Sequence, residues 1–407
     1  QPPDGNHLEE SGGDGGMKRE TYKLKQLCSE IVDCVNKTAP TSDAPTPYKM
    51  LRTSDIREGK INLENLNCVT KEVYEKWTRR GKLQKGDVIF TREAPLGEVG
   101  LVREEKNYFL GQRLVLFRAN DKICDGRFLM YSLLWHDNKQ AIISKGVGST
   151  VAHLRVPECE NIEIKAPDLD IQHRIADILS AYDDLIENNQ KQIKLLEEAA
   201  QRLYKEWFVD LHFPGHENTK IVDGVPEGWK KERLVDIAEI QYGYAFDGTL
   251  FNADKNGTPI IRIRNIPQAE TMDYTTEHVS ENYLVQNGEI IVGMDGEFHI
   301  NAWAGNTAYL VQRVCCIRPK NTEIKGWLLQ AIYEPIKFFE RTVVGATVAH
   351  LGKKHLDSIY LLTSPEGFYK PFMILFDKRL LLENQNRKLR EARDRLLPKL
   401  MSGEVEV

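Results

Sequence analysis

A near-identical octapeptide occurs twice in this 407-residue chain, and no other feature constrains the fold as much. Val147-Gly148-Ser149-Thr150-Val151-Ala152-His153-Leu154 returns as Val344-Gly345-Ala346-Thr347-Val348-Ala349-His350-Leu351, with seven of eight residues identical. Three further matches keep the same order. Arg52, Asp55 and Ile56 match Arg262, Asn265 and Ile266. Gly86-Asp87-Val88-Ile89-Phe90 matches Gly288-Glu289-Ile290-Ile291-Val292, and Glu187-Asn188 matches Glu383-Asn384. Collinear matches at a spacing of roughly 200 residues mean a duplicated unit whose loops differ in length. The chain length agrees with this, since about 100–200 residues per domain leaves room for two copies.

Each copy divides into a β-rich part and a long helix. In the first, residues 86–102 read as two short strands around the turn Ala94-Pro95-Leu96-Gly97, and 114–117 and 161–164 as further strands. Residues 127–143 read as a helical patch. From 171 the period changes. Leu179, Tyr182, Ile186, Asn189, Ile193, Leu196, Ala200, Leu203 and Trp207 recur at alternating steps of three and four, with no Pro or Gly from 171 to 213. The second copy repeats the seam as Leu375, Lys378, Leu382, Gln385, Leu389, Ala392 and Leu396, until Pro398 is expected to stop it. Two such helices are expected to pair, antiparallel if the duplication is a pseudo-twofold one. Asn189 and Gln385 stand at matched positions, where a buried polar layer fixes register. The alternative is two separate amphipathic helices, each lying on its own domain.

The expected fold class is therefore α+β, with two β-rich domains separated by a pair of long antiparallel coiled-coil helices. Residues 17–170 form the first domain and 171–212 its helix. Residues 213–365 form a breaker-rich linker and the second domain, and 366–403 the second helix. Residues 1–16, with five Gly, four acids and no Lys or Arg, read as a disordered tail or an expression scar ahead of a natural start at Met17.

Composition excludes several classes. With 28% charged residues and no run of about 20 uncharged apolar residues, the chain does not span a bilayer as a helix. The 14 Phe, 15 Tyr and 6 Trp exclude intrinsic disorder. The seven Cys form no C-x-x-C, which speaks against a disulfide framework or structural zinc and for a reducing cytoplasm. No phosphate-binding G-x-x-x-x-G-K-[ST], no G-x-G-x-x-G after a strand and no N/D-P-P-Y/F is present. Glu163-Ile164-Lys165 precedes Pro167-Asp168, the wrong order for a P-D…E-x-K nuclease, and reads as a strand end. His153 and His350 have no acid recurring beside them in the sequence and read as buried, hydrogen-bonded residues at a loop base. The expectation is a chain with no catalysis and no metal of its own.

The net charge is −5, without the dominant basic stripe usual in nucleic-acid binders. Any DNA contact must come from local clusters near the repeated loops. The first copy offers Arg79 and Arg80, the turn residues Thr91 and Arg92, Lys145, and the loop residues Ser149 and Thr150. The second offers Tyr242 and Tyr244, Arg264, Thr347 and Lys353. Taken singly, each is more often a solvated surface residue; their recurrence beside the repeated loops favours an interface.

In order and duplication these segments resemble the specificity (S) subunits of type I restriction–modification systems. The resemblance runs from about Met17 to the C-terminus. It rests on Gly86-Asp87-Val88-Ile89-Phe90 with Gly97, the two Gly-[Ser/Ala]-Thr-Val-Ala-His-Leu loops, and Arg262-Ile263-Arg264-Asn265-Ile266. The segment Ala166-Pro167-Asp168-Leu169-Asp170-Ile171-Gln172-His173-Arg174-Ile175 leading into the helix belongs to it too. This chain departs from the family at Ile171, where Glu is usual, and at Ser364-Pro365-Glu366-Gly367-Phe368, where the second copy lacks the Gln.

The resemblance implies two target recognition domains, each reading one half of an asymmetric double-stranded DNA site, with the helix pair as spacer. It implies a non-catalytic subunit in the cytoplasm of a prokaryote, bound to two copies of a methyltransferase subunit and a restriction subunit. Adenine-N6 methylation and ATP-dependent restriction would then lie in those partners, which would hold S-adenosylmethionine, ATP and Mg. A stand-alone DNA-binding regulator and a coiled-coil adaptor without DNA binding are the competing classes.

Overall fold

The computed structural model describes residues 19–147, 152–342 and 349–407. It divides the chain into two compact units. One holds the residues up to Asp184 together with Glu391–Val407, and the other is Leu185–Arg390.

The first unit is built on a four-stranded antiparallel sheet in the order Cys28–Asp33, Leu114–Ala119, Val88–Thr91, Val99–Leu101. Its central strand, Leu-Val-Leu-Phe-Arg-Ala, is almost wholly buried because both faces of the sheet are covered. The period of two divides it between two cores. Val115, Phe117 and Ala119 join Val88 and Phe90 against the helices, while Leu114 and Leu116 join Ile89 on the opposite face. A second sheet pairs Lys49–Leu51 with Tyr108–Leu110 in parallel and with Asn67–Cys68 in antiparallel. Residues Glu20–Lys23 pair with Glu163–Ala166, so the Glu163-Ile164-Lys165 segment is an edge-strand end. The expected helical patch is two helices, Gly126–Leu134 and His136–Ser144, broken at Trp135.

The second unit repeats this plan. Ala238–Tyr242, Val314–Pro319, Ile290–Gly293 and Ile300–Ala302 form the same four-strand order, all antiparallel. Thr258–Ile261 pairs in parallel with Ala308–Leu310, and Lys230–Arg233 pairs in antiparallel with Tyr360–Thr363. The same alternation recurs, with Cys315 and Ile317 in one core and Val314 and Cys316 in the other.

The repeated Gly-[Asp/Glu] dipeptide now has a structural reason. Gly86 and Gly288 hold φ of +92° and +85° in the turn before a strand, a conformation that favours glycine. The acid that follows clamps an arginine on the neighbouring strand. Asp87 is 1% exposed and takes both Nε and Nη2 of Arg118 at 2.9 Å. Glu289 takes Nε of Arg318 at 2.6 Å. A buried carboxylate is tolerable only when paired in this way.

The long helices are Leu169–Tyr204 and Lys370–Ser402, and each contributes to both units. They run antiparallel within each. In the first unit Asp183 meets Nη1 of Arg393 at 2.5 Å. In the second, Asn189 donates to Asn386 at 2.9 Å, and Nε of Arg379 lies 2.8 Å from Glu197. Leu179, Ile186, Asn189 and Ala200 are buried, with Tyr182, Ile193, Leu196 and Leu203 half-buried, so the first helix carries the expected seam.

The second helix keeps Leu375, Leu382, Leu389 and Leu396 on its seam but differs at the positions between them. Gln385 and Lys378 are exposed, while Asn386 and Arg379 are buried. Leucines seven apart are compatible with an intervening step of three or of four, and four is the one taken. The sequence disfavoured it because it brings Arg379 and Arg393 inward. Their burial is compensated by Glu197, Glu383 and Asp183. Pro398 does not stop the helix, which continues to Ser402. Leu400 and Met401 are buried in the first unit's core, and that apolar docking holds the last turn in place beyond the proline. No helix of the described residues is long and apolar enough to cross a membrane.

Candidate nucleic-acid interface

The repeated loops, 148–151 and 343–348, lie outside the described residues, but the structure shows what holds their edges. In the first unit Val147 and His153 exchange two backbone hydrogen bonds of 3.0 Å, and Leu154 donates to the carbonyl of Arg92 at 3.0 Å. Glu93 forms a bridge with His153. In the second, Leu351 donates to Met294 at 2.7 Å, and Asp295 bridges His350. A turn more than fifty residues upstream thus meets each histidine, through backbone pairing alone at His153 and with the Asp295 carboxylate added at His350.

An arginine completes each arrangement. Arg113 lies 3.3 Å from Glu93 through Nε, and Arg313 pairs with Asp295 through Nη1. Both arginines hold φ of +69°, and both are followed at once by the central strand. Their carbonyls accept from Arg92 N and Met294 N respectively, each at 2.8 Å. His350 does not fit the buried reading: its ring is 60% exposed, with Nδ1 2.6 Å from Asp295. Burial raises the Asp295 carboxyl, but His350 and Arg313 outweigh it and hold it below the usual carboxylate range. Sequence reasoning missed Arg113 and Arg313. The signal available was a fifth collinear match, Gln112-Arg113 against Gln312-Arg313.

Other expected contacts are placed differently from one another. Arg79, Lys145 and Lys353 are exposed. Arg80 is exposed while donating to the Cys34 carbonyl at 3.0 Å, and Arg264 is exposed and paired with Asp273. Thr91 is wholly buried, its hydroxyl donating to Pro95 O at 2.6 Å and accepting from Glu98 N. It closes the turn. Arg92 points inward, with Nη2 2.8 Å from Asp33 and Nη1 donating to Leu154 O, because its strand end sits against the loop base. Tyr242 packs on the second unit's main core; burial pushes its hydroxyl up to about 12. Tyr244 meets Phe246 edge-on and Tyr283 at a tilt, against an apolar cluster. Thr91 and Arg92 are thus held by polar contacts at the turn and loop base, while Tyr242 and Tyr244 are half-buried. Ser149, Thr150 and Thr347 lie outside the described residues. Among the described residues no three His, Cys, Asp or Glu side chains are gathered as a metal ion would need.

Residues 19–198 and 226–364 match the family described as the type I restriction modification DNA specificity domain. The chain belongs to that family. Among curated relatives, the type I restriction enzyme MjaIX specificity subunit of Methanocaldococcus jannaschii is 26% identical over 341 residues, covering 79% of this chain and 78% of the relative. The HindI specificity subunit of Haemophilus influenzae is 21% identical over 433 aligned positions, covering 87% and 94%. The fold is that of a solved type I restriction–modification S subunit from M. genitalium, with a TM-score of 0.60 at 17% identity, covering 97% and 98% of the two chains.

Within this specificity fold, the Gln that marks the start of the first long helix locks a corner. Gln172 is 1% exposed, donates to the carbonyls of Ile123 and Pro167 at 3.0 and 2.9 Å, and accepts from Asp125 N at 3.1 Å. The second copy, which lacks the Gln, uses Tyr369 instead. Its hydroxyl accepts from Ser364 N at 2.8 Å and donates to Ser364 O at 3.0 Å.

Proposed function

We propose that this chain is the DNA sequence-recognition subunit of a type I restriction–modification complex, supplying specificity while partner subunits supply the chemistry. The observation that carries the reading is the duplicated framework. Two domains of one plan hold matching loops and matching arginine clusters, yet differ in sequence around them. Such a pair suits an asymmetric bipartite site, each domain reading one half, with the helix pair as spacer. Base edges would be read by loop side chains, including Ser149, Thr150 and Thr347, and phosphates held by exposed Arg79, Arg80, Lys145, Arg264 and Lys353. On this reading two methyltransferase subunits bind S-adenosylmethionine and methylate adenine, and a restriction subunit with ATP and Mg joins them. The complex works in the cytoplasm of a prokaryote.

The test is an adenine-methylation map of DNA from cells expressing the methyltransferase partner with and without this chain. A split motif carrying methyladenine in both halves, present only with this chain, is the expected result. A soluble complex that leaves no motif would instead favour a regulator or an adaptor.

A further inference from the structure

Arg113 and Arg313 are exposed arginines that both domains place at the same point of the framework. Each follows a glutamine, adopts the left-handed conformation at +69°, accepts at its carbonyl a backbone N–H from the turn across from it, and pairs with an acid from that turn. Non-glycine residues adopt this conformation uncommonly, and a long β-carbon-bearing side chain gains nothing from it. Its presence twice calls for a role the position serves in both domains.

The pairing leaves each guanidinium unfinished. Among the described residues, Glu93 engages Nε of Arg113, which leaves both Nη groups, and Asp295 engages Nη1 of Arg313, which leaves Nη2 and Nε. An arginine carries five donors in a fixed fork, so one edge can be held by a carboxylate while the other takes an anion. The side chains are 51% and 64% exposed, beside the base of each repeated loop. The acid therefore aims the arginine and does not consume it.

What such an arginine recognises follows from its being shared. The neighbouring position differs between the copies: the residue whose N–H meets the arginine carbonyl is Arg92 in one and Met294 in the other. A side chain common to two domains cannot distinguish two different half-sites. It can read what every duplex offers, the phosphate. We propose, resting on the DNA-recognition reading above, that Arg113 and Arg313 are a matched pair of backbone phosphate contacts that set each domain on the duplex, leaving sequence choice to the unshared residues around them.

The test uses the full chain co-purified with its methyltransferase subunits. Binding is titrated on two labelled duplexes, one carrying the motif methylated in cells and one unrelated, across a range of salt. Arg113→Ala and Arg313→Ala are each expected to weaken both duplexes by a similar factor, about five- to tenfold, and to lower the salt slope by about one. The methylated motif stays unchanged. Arg113→Asn and Arg313→Asn, which suit the left-handed conformation, should behave the same if alanine disturbs folding, and Arg→Lys at either site should retain the slope. Unchanged affinity and slope in the asparagine variants would make the arginines loop braces. A relaxed base at one half-site would make them base readers. Either overturns the proposal. A wild-type complex that binds neither duplex would instead overturn the recognition reading itself.

Discussion

The seven cysteines show how far local surroundings decide the behaviour of one residue type. Cys28, Cys159 and Cys315 are each pushed up to about 12 by burial, and Cys34, Cys124 and Cys316 are raised as well. Cys68 is the exception. The Lys49 ammonium donates to its sulfur at 2.9 Å and lowers its value, which favours the thiolate that reacts. A thiol reagent at neutral pH should therefore label Cys68 first, in a fast phase abolished by Cys68→Ser, with the others following only on unfolding. Mass mapping of the first labelled peptide checks this. Asp295 gives a prediction in pH. Its value is held below that of the unfolded chain, so its contribution is present above the ordinary carboxylate value and is lost as pH falls through the folded value. The melting temperature of the parent should exceed that of Asp295→Asn at pH 7, and the gap should close below about pH 4.

Among the elements, the two long helices show which parts of a periodic pattern a sequence can fix. Leucines at intervals of seven on the second helix mark its buried face, but the polar layer beside them belongs to Asn386 and not to Gln385. Asn386→Ala strips the buried Asn189 amide of its partner and should cost about 1–3 kcal/mol. Gln385→Ala, on the exposed face, should stay within about 0.5 kcal/mol. Equal losses in denaturant titrations of the two variants would contradict this register. Leu179→Ala removes a fully buried side chain from the first core and should cost about 2–5 kcal/mol. The sheets behave more simply. Strands such as Leu114–Ala119 were legible because a run of apolar residues between turns has few other uses, and covering both faces of the sheet explains why alternation with polar residues was missing.

For the molecule as a whole, duplication is the property with consequences. If each domain reads one half-site, a chain carrying the second copy's recognition residues in both domains should direct methylation to a motif built twice from one half. Methylation mapping of cells expressing that chain with the methyltransferase reads the outcome. An unchanged asymmetric motif would show that the domains do not act separately.

The sequence by itself determined the duplication, the α+β class, the strands around residues 86–102 and the apolar stripe of both helices. These follow from period, turn chemistry and repetition, which are local properties of the chain. Tertiary structure alone decided which polar residues face inward. Thr91 and Arg92 are held at a turn and loop base, Tyr242 and Tyr244 pack half-buried against apolar clusters, and Arg379 and Arg393 enter the helix seam because acids from a different part of the chain meet them there. The same holds for the arginine–acid arrangements at the loop bases. Glu93 and Arg113, or Asp295 and Arg313, come together only when the sheet brings the turn after one strand beside the turn before the next, a proximity that side-chain chemistry read along the chain does not encode.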